Sequence, residues 1–309
     1  ESEIEVEYET NSQLLKYKIV FNQDSILTEE ISIKTTSRYS YIVKRVTKSN
    51  GTEVKFKAPN NSVNTRFWKN FQSNISVMSA LLTIGESKQE DIVAQYVAPL
   101  TTMIKTNISE YGKNHVNMSS IISASEKLYD DPDKFELLKE IMLDLDLGLD
   151  DIRLEEMELI SEAKEKSEKV IMPKGVHIIE KSRTLELPFT RESSGTQSLF
   201  LTISRLLDTL ECGGISVLDE MDSDLHSYML KKLIDLFLDE SLNKKHAQLI
   251  FTSHTPEILN DLNKYQLYLV EKIDGVSSTY RADCIDGLRS DDNLYKKYVS
   301  GSLGAVPIL

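Results

Sequence analysis

Residues 192–256 decide the fold, and this region begins with Glu192-Ser193-Ser194-Gly195-Thr196-Gln197. Two apolar segments follow it, Ile215-Ser216-Val217-Leu218-Asp219-Glu220 and Leu249-Ile250-Phe251-Thr252-Ser253-His254. Apolar residues recur at helical spacing over 196–211 and 224–239. A strand is predicted after each of these helices, at 214–219 and at 247–253, and a further strand is predicted at 266–271. This alternation predicts an α/β fold with a mainly parallel sheet flanked by helices.

Two carboxylates, Asp219 and Glu220, end the first of these apolar segments. Ligands bind at the carboxyl ends of parallel strands, and Mg²⁺ prefers oxygen ligands. Asp219 is therefore a candidate metal ligand, and Glu220 is a candidate general base that orients and deprotonates a water molecule. Taken alone, an apolar strand that ends in two acids fits a solvated strand end equally well.

A histidine, His254, ends the next predicted strand along the chain. A single histidine after a strand is more often a hydrogen-bonded structural residue than a catalytic one. However, adjacent strand ends can converge on one ligand, and an imidazole there could donate to a phosphate oxygen. Together with the acidic pair, the position of His254 favours the functional interpretation.

The segment from Glu192 to Gln197 is small, polar and glycine-bearing, and it opens a predicted helix. The start of a helix presents free N–H groups and the positive end of the helix dipole, which together suit an anion. Ordinary capping by Ser193, Ser194 or Thr196 explains the same residues. Taken alone, the segment is better explained by capping, and its position about 20 residues before the acidic strand gains meaning only through the family resemblance described below.

Composition describes an ordinary soluble chain of 309 residues, with 40% apolar and 28% charged residues. No apolar run reaches the length of a membrane span, and the first residues lack the features of a signal peptide. Two cysteines, Cys212 and Cys284, are too few for a disulfide framework and favour a cytoplasmic setting. The net charge of −13 disfavours a broad phosphate-binding surface but does not exclude a local basic groove.

Three domains are predicted along the chain. Residues 1–58 alternate polar and apolar side chains and form an antiparallel β subdomain, and residues 59–172 form a helical insertion or lid. Within that insertion, residues 155–169 are interpreted as a charged surface helix. Residues 173–309 form the C-terminal lobe, which carries the segments quoted above.

The order of these segments resembles that of ABC-type ATPases of the SMC and RecF kind, with a signature motif, a Walker B strand and a switch histidine. The residues in these motifs are more similar to those of the AAA/ABC-type ATPases of bacterial phage-defence systems. This group includes RloA, the abortive-infection ATPases, the PARIS ATPase and the OLD-related proteins. The resemblance rests on Glu192-Ser-Ser-Gly-Thr-Gln197, Leu218-Asp-Glu-Met-Asp-Ser-Asp-Leu-His226 and Phe251-Thr-Ser-His-Thr-Pro256, with a similar ending at Tyr298-Val-Ser-Gly-Ser-Leu-Gly-Ala-Val-Pro307.

This resemblance implies an ATP- and Mg²⁺-dependent hydrolase with a composite site. Asp219 would serve Mg²⁺, Glu220 would be the general base, and His254 would sense the γ-phosphate. Contacts to the nucleotide held by the other subunit would come from Ser193, Ser194 and Gly195. Asp222, also assigned to nucleotide binding, lies in the loop 221–224 that would communicate across the dimer, and His226 would be structural.

The same resemblance implies partners. The ATPase would form a homodimer or a higher even oligomer through signature motifs acting in trans, as expected for a composite site. It would control an effector encoded next to it, often a nuclease, in antiviral defence. Contact with nucleic acid is possible, and no membrane association is implied.

Two departures from the family pattern stand out. The phosphate-binding loop, Gly-x4-Gly-Lys-Ser/Thr, occurs nowhere in these 309 residues, because the only Gly-Lys pair, Gly112-Lys113, is followed by Asn114. In the family this loop lies upstream of the antiparallel strands, so we expect that an N-terminal unit is missing and that this chain alone binds ATP poorly. The only candidate for the glutamine-loop residue is Gln72.

Two other functions share these motifs. A DNA-repair ATPase of the RecF/SMC kind would act directly on DNA, but residues 75–168 are too short and irregular for a long coiled coil. A degenerate, non-hydrolysing scaffold head fits the lack of the phosphate-binding loop. The intact Asp219, Glu220 and His254 argue against the scaffold.

Overall fold

The structure is a computed structural model that describes residues 1–10, 12–57, 68, 71–84, 96–109, 112–145, 147–161, 166–179, 183–223 and 225–306. The chain divides into two compact units, Glu1–Met103 and Ile104–Leu309. Both helices and strands occur, as expected for an α/β ATPase domain. None of the described helices is both long enough and apolar enough to cross a bilayer.

Unit 1 is built on a five-stranded antiparallel meander, which lies within the residues predicted to form an antiparallel β subdomain. Its strands pair in sequence order: β1 Ser2–Thr10, β2 Gln13–Phe21, β3 Ile26–Lys34, β4 Tyr39–Lys48 and β5 Gly51–Phe56. Among the described residues, the helices α1 Val77–Ile84 and α2 Ala98–Met103 follow. Side chains of one sheet face pack with the helices around Trp68, which is 2% exposed.

Unit 2 contains a parallel sheet of three short strands in the order β13-β12-β6. These strands are β6 Ile104–Thr106, β12 Ile215–Leu218 and β13 Gln248–Phe251, and a small hairpin, β7 Ile108–Ser109 and β8 Gly112–Lys113, follows β6. The helices of this unit are α3 Met118–Tyr129, α4 Pro132–Asp144, α5 Ser194–Cys212, α6 Ser227–Leu238 and α7 Leu294–Val299. The order α5, β12, α6, β13 agrees with the alternation predicted for this part of the chain.

The segment interpreted as a charged helix is a pair of long strands, so that prediction is wrong. β9 Asp151–Ser161 and β10 Lys166–Ile179 pair antiparallel, and β11 Arg183–Pro188 extends this sheet in the order β11-β10-β9. Lys169 Nζ lies 2.6 Å from Glu156 Oε1 on the opposite strand, and Lys174 pairs with Glu155. The interpretation of 59–172 as a helical insertion is therefore wrong for its strand-forming parts.

The strand predicted near 266–271 forms but does not join the parallel sheet. β14 Tyr268–Ile273 pairs antiparallel with β15 Val276–Arg281 as a separate two-stranded ribbon. The alternating pattern predicted strand β14 correctly. The short turn at Asp274 and Gly275 determines that β14 pairs with β15 rather than with the parallel sheet. Both of these residues have positive φ, which suits a tight hairpin turn.

Helix α5 organises the core of unit 2. Ser193 caps its start, and Gly213 ends it with a φ of 68°. A Cβ at Gly213 would lie 2.8 Å from both the Cβ and the carbonyl oxygen of Lys245, so a glycine is required there. The helix packs against β6 and β12, and ten of its residues are buried. The chain reverses at Gly213 into β12, so the start of α5 points towards the carboxyl-end side of the sheet.

Candidate functional site

Three parallel strands of unit 2 deliver polar residues to one sheet edge. Asn107 follows β6, Asp219 follows β12, and Thr252 follows β13. The register aligns these ends, because Leu218 lies opposite Phe251 and Val217 lies opposite Thr106. The carboxyl edge of a parallel sheet is where such folds bind ligands. We refer to Asn107, Asp219, Glu220, Thr252 and His254 as the strand-end cluster.

Asn107 holds the backbone of Asp219. Its Nδ2 donates to the Asp219 carbonyl oxygen at 2.8 Å, and its Oδ1 accepts from the Asp219 N–H at 2.8 Å. Both main-chain polar groups of Asp219 are thereby satisfied by one amide side chain just where β6 stops pairing. The Asp219 carboxylate is thus positioned by its main chain.

Thr252 connects Asp219, the candidate metal ligand, with Glu220, the candidate general base. Its hydroxyl donates to Asp219 Oδ1 at 2.7 Å and accepts from the Glu220 N–H at 2.7 Å. Its main chain extends the ladder, since its N–H donates to the Leu218 carbonyl and its own carbonyl accepts from Met221, both at 3.0 Å. Thr252 therefore fixes the direction of the Asp219 carboxylate and the turn at Glu220.

Glu220 stands on a strained backbone with a φ of 45°, in the left-handed region that non-glycine residues seldom occupy. Its side chain is 46% exposed, and Oε1 lies 3.8 Å from His254 Nε2. The other carboxylate oxygen lies 3.5 Å from Lys113 Nζ and accepts from the Ser223 hydroxyl at 3.3 Å. Lys113 also donates to the Glu220 carbonyl at 3.0 Å. Backbone strain of this kind is typical of functional positions.

Asp222 anchors the loop that carries His254. Its Oδ2 accepts from the His254 N–H at 2.9 Å and from the Thr255 hydroxyl at 2.7 Å. Burial tends to raise the pKa of this carboxyl, but the bonds from Thr255 and from the His254 N–H outweigh burial and leave the pKa below its usual value. Asp222 Oδ1 is buried with no hydrogen-bond partner within the described ranges. Asp224, the last residue of the predicted loop 221–224, lies outside the described residues.

The predicted signature residues lie at the start of α5. Ser193 Oγ accepts from the Thr196 N–H at 3.1 Å, so it is the N-cap, while Ser194 and Gly195 form the first turn. Both serines are exposed, and the first turn carries no acidic residue, which leaves the positive end of the helix dipole accessible. No hydrogen bond between described residues joins this segment to the strand-end cluster.

The sequence therefore predicted four residues that the structure brings together, namely Asp219, Glu220, Asp222 and His254. Sequence reasoning did not identify Asn107, Lys113 or Thr252. The position of Thr252, between a buried strand and His254, was a usable signal. Asn107 and Lys113 carried no such signal in the sequence, because they follow a three-residue strand inside a region interpreted as helical.

The structure also places two residues for which the sequence gave weaker predictions, His226 and Gln72. His226 is the N-cap of α6, and its ring stacks on Tyr228 with centroids 5.4 Å apart. Gln72, the candidate glutamine-loop residue, belongs to unit 1, where its carbonyl accepts from Arg45 Nη2 at 3.0 Å. That contact is made by the main chain and gives Gln72 no nucleotide role of its own.

The fold and the site together place an acidic pair and a histidine at neighbouring ends of parallel strands. Residues 1–260 match the family described as "AAA domain, putative AbiEii toxin, Type IV TA system". The chain belongs to this family, which is a family of AAA/ABC-like ATPases. A search of curated proteins found no match.

The donor set of the cluster suits Mg²⁺, the ion that an ATPase of this family usually employs. Asp219 offers a carboxylate oriented by Thr252, with the oxygen chemistry that this hard cation prefers. The described ranges hold no group of three or more His, Cys, Asp or Glu side chains able to form a complete metal cage. That agrees with Mg²⁺ sites in which one or two carboxylates act together with phosphates and water.

Proposed function

We propose that this chain is the hydrolytic part of an ATPase that dimerises on nucleotide and controls a partner effector. The observation that carries the proposal is the geometry at the sheet edge. The Glu220 carboxylate and the His254 imidazole lie 3.8 Å apart, beside an Asp219 carboxylate that Thr252 orients at 2.7 Å. A solvated strand end does not require this arrangement or the strained backbone at Glu220.

Glu220 is the general base. Its exposed carboxylate can accept a proton from an attacking water molecule, while Lys113 and Ser223 hold the other carboxylate oxygen. His254, 84% exposed, is free to donate to a phosphate oxygen once its backbone is fixed by Asp222. The left-handed backbone turns Glu220 out of the strand direction, so the two neighbouring acids take different roles.

Asp219 would hold Mg²⁺, which when bound supplies positive charge to the phosphates. Thr252 keeps the carboxylate of Asp219 aimed, and Asn107 keeps its main chain in place. The proposal also requires a phosphate-binding loop, whose pattern Gly-x4-Gly-Lys-Ser/Thr does not occur in these 309 residues. Every activity test therefore uses the protein as the cell makes it.

Ser193, Ser194 and Gly195 serve the nucleotide of a partner subunit. Their helix start is exposed and carries no acid in the first turn, and within the described residues no hydrogen bond ties it to the strand-end cluster. These features support action in trans, within a homodimer or a higher even oligomer. The loop at Asp222 contacts the His254 segment. This loop would therefore transmit the closure of one nucleotide site to the other nucleotide site of the dimer.

The biological context we propose is antiviral defence. The family description, with its toxin and toxin–antitoxin terms, supports a system in which an ATPase governs a harmful activity. The effector is a protein encoded nearby, most simply a nuclease, and contact with nucleic acid would come through that effector or through the assembly. The protein would act in the cytoplasm.

Steady-state hydrolysis by the complete protein tests the catalytic assignment. Glu220→Gln should lower kcat by about 10²- to 10⁴-fold, because it removes the general base and leaves the shape unchanged. Glu257→Gln is the matched control, since Glu257 is exposed and lies three residues after His254. Equal turnover in the wild type and Glu220→Gln would overturn the catalytic assignment.

Native mass of the Glu220→Gln protein, co-expressed with its neighbouring gene, tests the assembly. A dimer that forms only with ATP and retains the neighbour's product supports the switch. A monomer that ignores nucleotide and binds no neighbour would favour a degenerate scaffold head.

A further inference from the structure

A second polar pair, His177 and Glu192, lies just before the start of α5. His177 Nε2 is 2.8 Å from Glu192 Oε1, and His177 Nδ1 is 2.7 Å from the carbonyl oxygen of Gly148. The Glu192 side chain is only 7% exposed, whereas that of His177 is 21% exposed. The pair therefore connects β10, which carries His177, with the segment that enters α5.

Both partners of the imidazole are acceptors. A carbonyl oxygen cannot donate, and a carboxylate cannot donate either, whereas a neutral imidazole has a single N–H. Both contacts are satisfied together only when His177 is an imidazolium. Its pKa is raised above the ordinary 6.5, first by the hydrogen bond to Glu192 and also by the Gly148 carbonyl and the charge of Asp150, against the opposing effect of burial.

Residues of the turn before β9 and of strand β11 surround the pair of His177 and Glu192. Asp150, on the turn before β9, accepts from the Ile178 N–H at 2.6 Å and adds negative charge beside the ring. On β11, uncharged Leu185 lies opposite His177. The nearest acid on that strand, Glu186, is paired with Arg153 of β9 at 2.7 Å. Among the described residues, the acids that contact His177 or raise its pKa by their charge are Glu192 and Asp150.

Gly175 makes room for the Glu192 carboxylate. A Cβ at this position would overlap Glu192 Oε1 and lie 2.7 Å from Leu149 Cδ2. The φ of Gly175 is not in the left-handed region, so the absence of a side chain is what matters there. Gly175 and His177, two residues apart on β10, both position the same carboxylate.

Glu192 in turn fixes the entry to α5. Its N–H donates to the Phe189 carbonyl at 3.1 Å, and its own carbonyl accepts from Gln197 Nε2 at 2.9 Å. The next residue is Ser193, the N-cap. A shift of the Glu192 side chain would therefore move the exposed segment that the proposed function assigns to the nucleotide of the partner subunit.

We propose that His177, in its imidazolium form, is a positioning residue that holds the segment 192–195 ready for the partner subunit's nucleotide and makes nucleotide-driven dimerisation depend on pH. This inference rests on the proposed function for its consequence, but not for the pair itself. Because the imidazolium is favoured in the folded state, the positioning is complete below about pH 6.5. It is lost as the pH rises through the higher value of the folded protein.

The first experiment needs no nucleotide. The His177 ring is titrated by NMR in the wild type and in Glu192→Gln, where a neutral imidazole can donate to Gly148 and accept from the new amide. The wild-type midpoint should lie above 6.5, and that of Glu192→Gln should be lower. The protection factors of the amides of residues 195–197, which are exchange rates corrected for the intrinsic base-catalysed rate at each pH, should fall by about tenfold from low to high pH in the wild type. In His177→Gln the same protection factors should not change with pH. His246→Asn, at an exposed turn residue with a φ of 55°, is the control and should behave as the wild type.

The second experiment follows ATP-dependent dimerisation of the complete protein in the Glu220→Gln background, from about pH 6 to about pH 9. The dimer should weaken by about tenfold across the His177 midpoint, while His177→Gln should give a flat profile. Gly175→Ala, which displaces Glu192 by steric overlap, should weaken the dimer at every pH. A pH profile shared by the wild type and His177→Gln would overturn the inference.

The two proposals can fail separately. If the Glu220→Gln protein with His177 intact shows no ATP-dependent dimer at any pH, the proposed dimerisation is wrong. A normal His177 midpoint, or protection factors of 195–197 that do not change with pH, would still overturn the positioning role. If the dimer forms but does not respond to His177 or Gly175, only this inference is wrong.

Discussion

Charged groups are used in opposite ways in the two units. In unit 1, Arg45 and Glu29 are 0% and 2% exposed, and their charges lie 3.7 Å apart. Arg45 donates to the carbonyls of Gln72, Ser73 and Ile75, while the Glu29 carboxylate accepts from the Ser76 hydroxyl and the first N–H of α1. In unit 2, Glu220 and His254 are 46% and 84% exposed and lie 3.8 Å apart.

The difference separates charges that hold the fold from charges that stay accessible, as the proposed function requires. A buried ion pair is stable when hydrogen bonds satisfy most of its remaining donors and acceptors, and such a pair locks a loop. Arg45 and Glu29 lock residues 72–77 against the sheet in this way. The strand-end cluster instead leaves its carboxylate and imidazole accessible on a strained backbone, as a site that exchanges protons with a ligand requires.

Breaking the buried pair should have the largest effect. Arg45→Met leaves the Glu29 carboxylate buried without its cation, and the free energy of unfolding of unit 1 should fall by about 3–5 kcal/mol. The only tryptophan of the chain, Trp68, is buried in this unit, so denaturant unfolding can be followed by its fluorescence.

Lys44→Met is the matched control for Arg45→Met, because Lys44 precedes Arg45 on β4 and forms an exposed pair with Glu30 at 2.8 Å. Its loss should change the free energy of unfolding by no more than about 0.5 kcal/mol. Similar unfolding midpoints for the two variants would show that the buried pair does not stabilise unit 1.

Thr252→Val tests whether the strand-end cluster depends on one hydroxyl. The variant keeps the β-branched shape but loses the bonds to Asp219 and to the Glu220 N–H, which should cost about 1–2 kcal/mol of local stability. Amide exchange of Glu220 should accelerate accordingly, and ATP hydrolysis by the complete protein should fall. Thr252→Ser retains the hydroxyl and should recover most of both, so equal behaviour of Val and Ser would contradict this role.

Glu220→Gly should raise stability while it removes activity. A side chain at positive φ costs about 1–2 kcal/mol, and the extra entropy of an unfolded glycine offsets about half of that gain. The best comparison is Glu220→Ala, which also lacks the carboxylate but keeps the strained backbone. In thermal unfolding, Gly should be more stable than Ala by up to about 1 kcal/mol, the reverse of the order in a helix. A more stable Ala variant would show that the turn at Glu220 carries no strain.

The sequence predicted the parts of the molecule whose local patterns and tertiary packing agree. Helix α5 has a serine cap, an apolar face and a terminal glycine, and β12 and β13 are short apolar runs that end in polar residues. The meander of unit 1 shows the alternation of a half-buried sheet. In each of these elements one local rule was sufficient.

The sequence failed where partners far along the chain decide the structure. Residues 155–169 are rich in Glu and Lys, which favour a helix, but Lys169 and Lys174 pair with acids of the opposite strand. Burial of Val170, Met172 and Val176 on β10 stabilises that sheet further. Asn107 and Asp219 are 112 positions apart, so no local pattern could join them.

The smallest expected effect concerns Asp222, which is intermediate between the two kinds of charge because it is half-buried and holds the loop of an exposed histidine. The pKa of Asp222 lies below the ordinary 3.8. The hydrogen bonds to His254 and Thr255 therefore stabilise the folded protein above pH 3.8, and this stabilisation is lost as the pH falls through the lower pKa of the folded state. The amide proton shift of His254 should therefore move with a midpoint below 3.8 in the wild type and stay flat in Asp222→Asn. Asn can still accept a hydrogen bond, so at neutral pH the variant should lose only a few tenths of a kcal/mol, about the size of one exposed interaction. A His254 shift with the same midpoint in both proteins would assign that titration to another group, and Asp222 would then belong with the solvated acids of the surface.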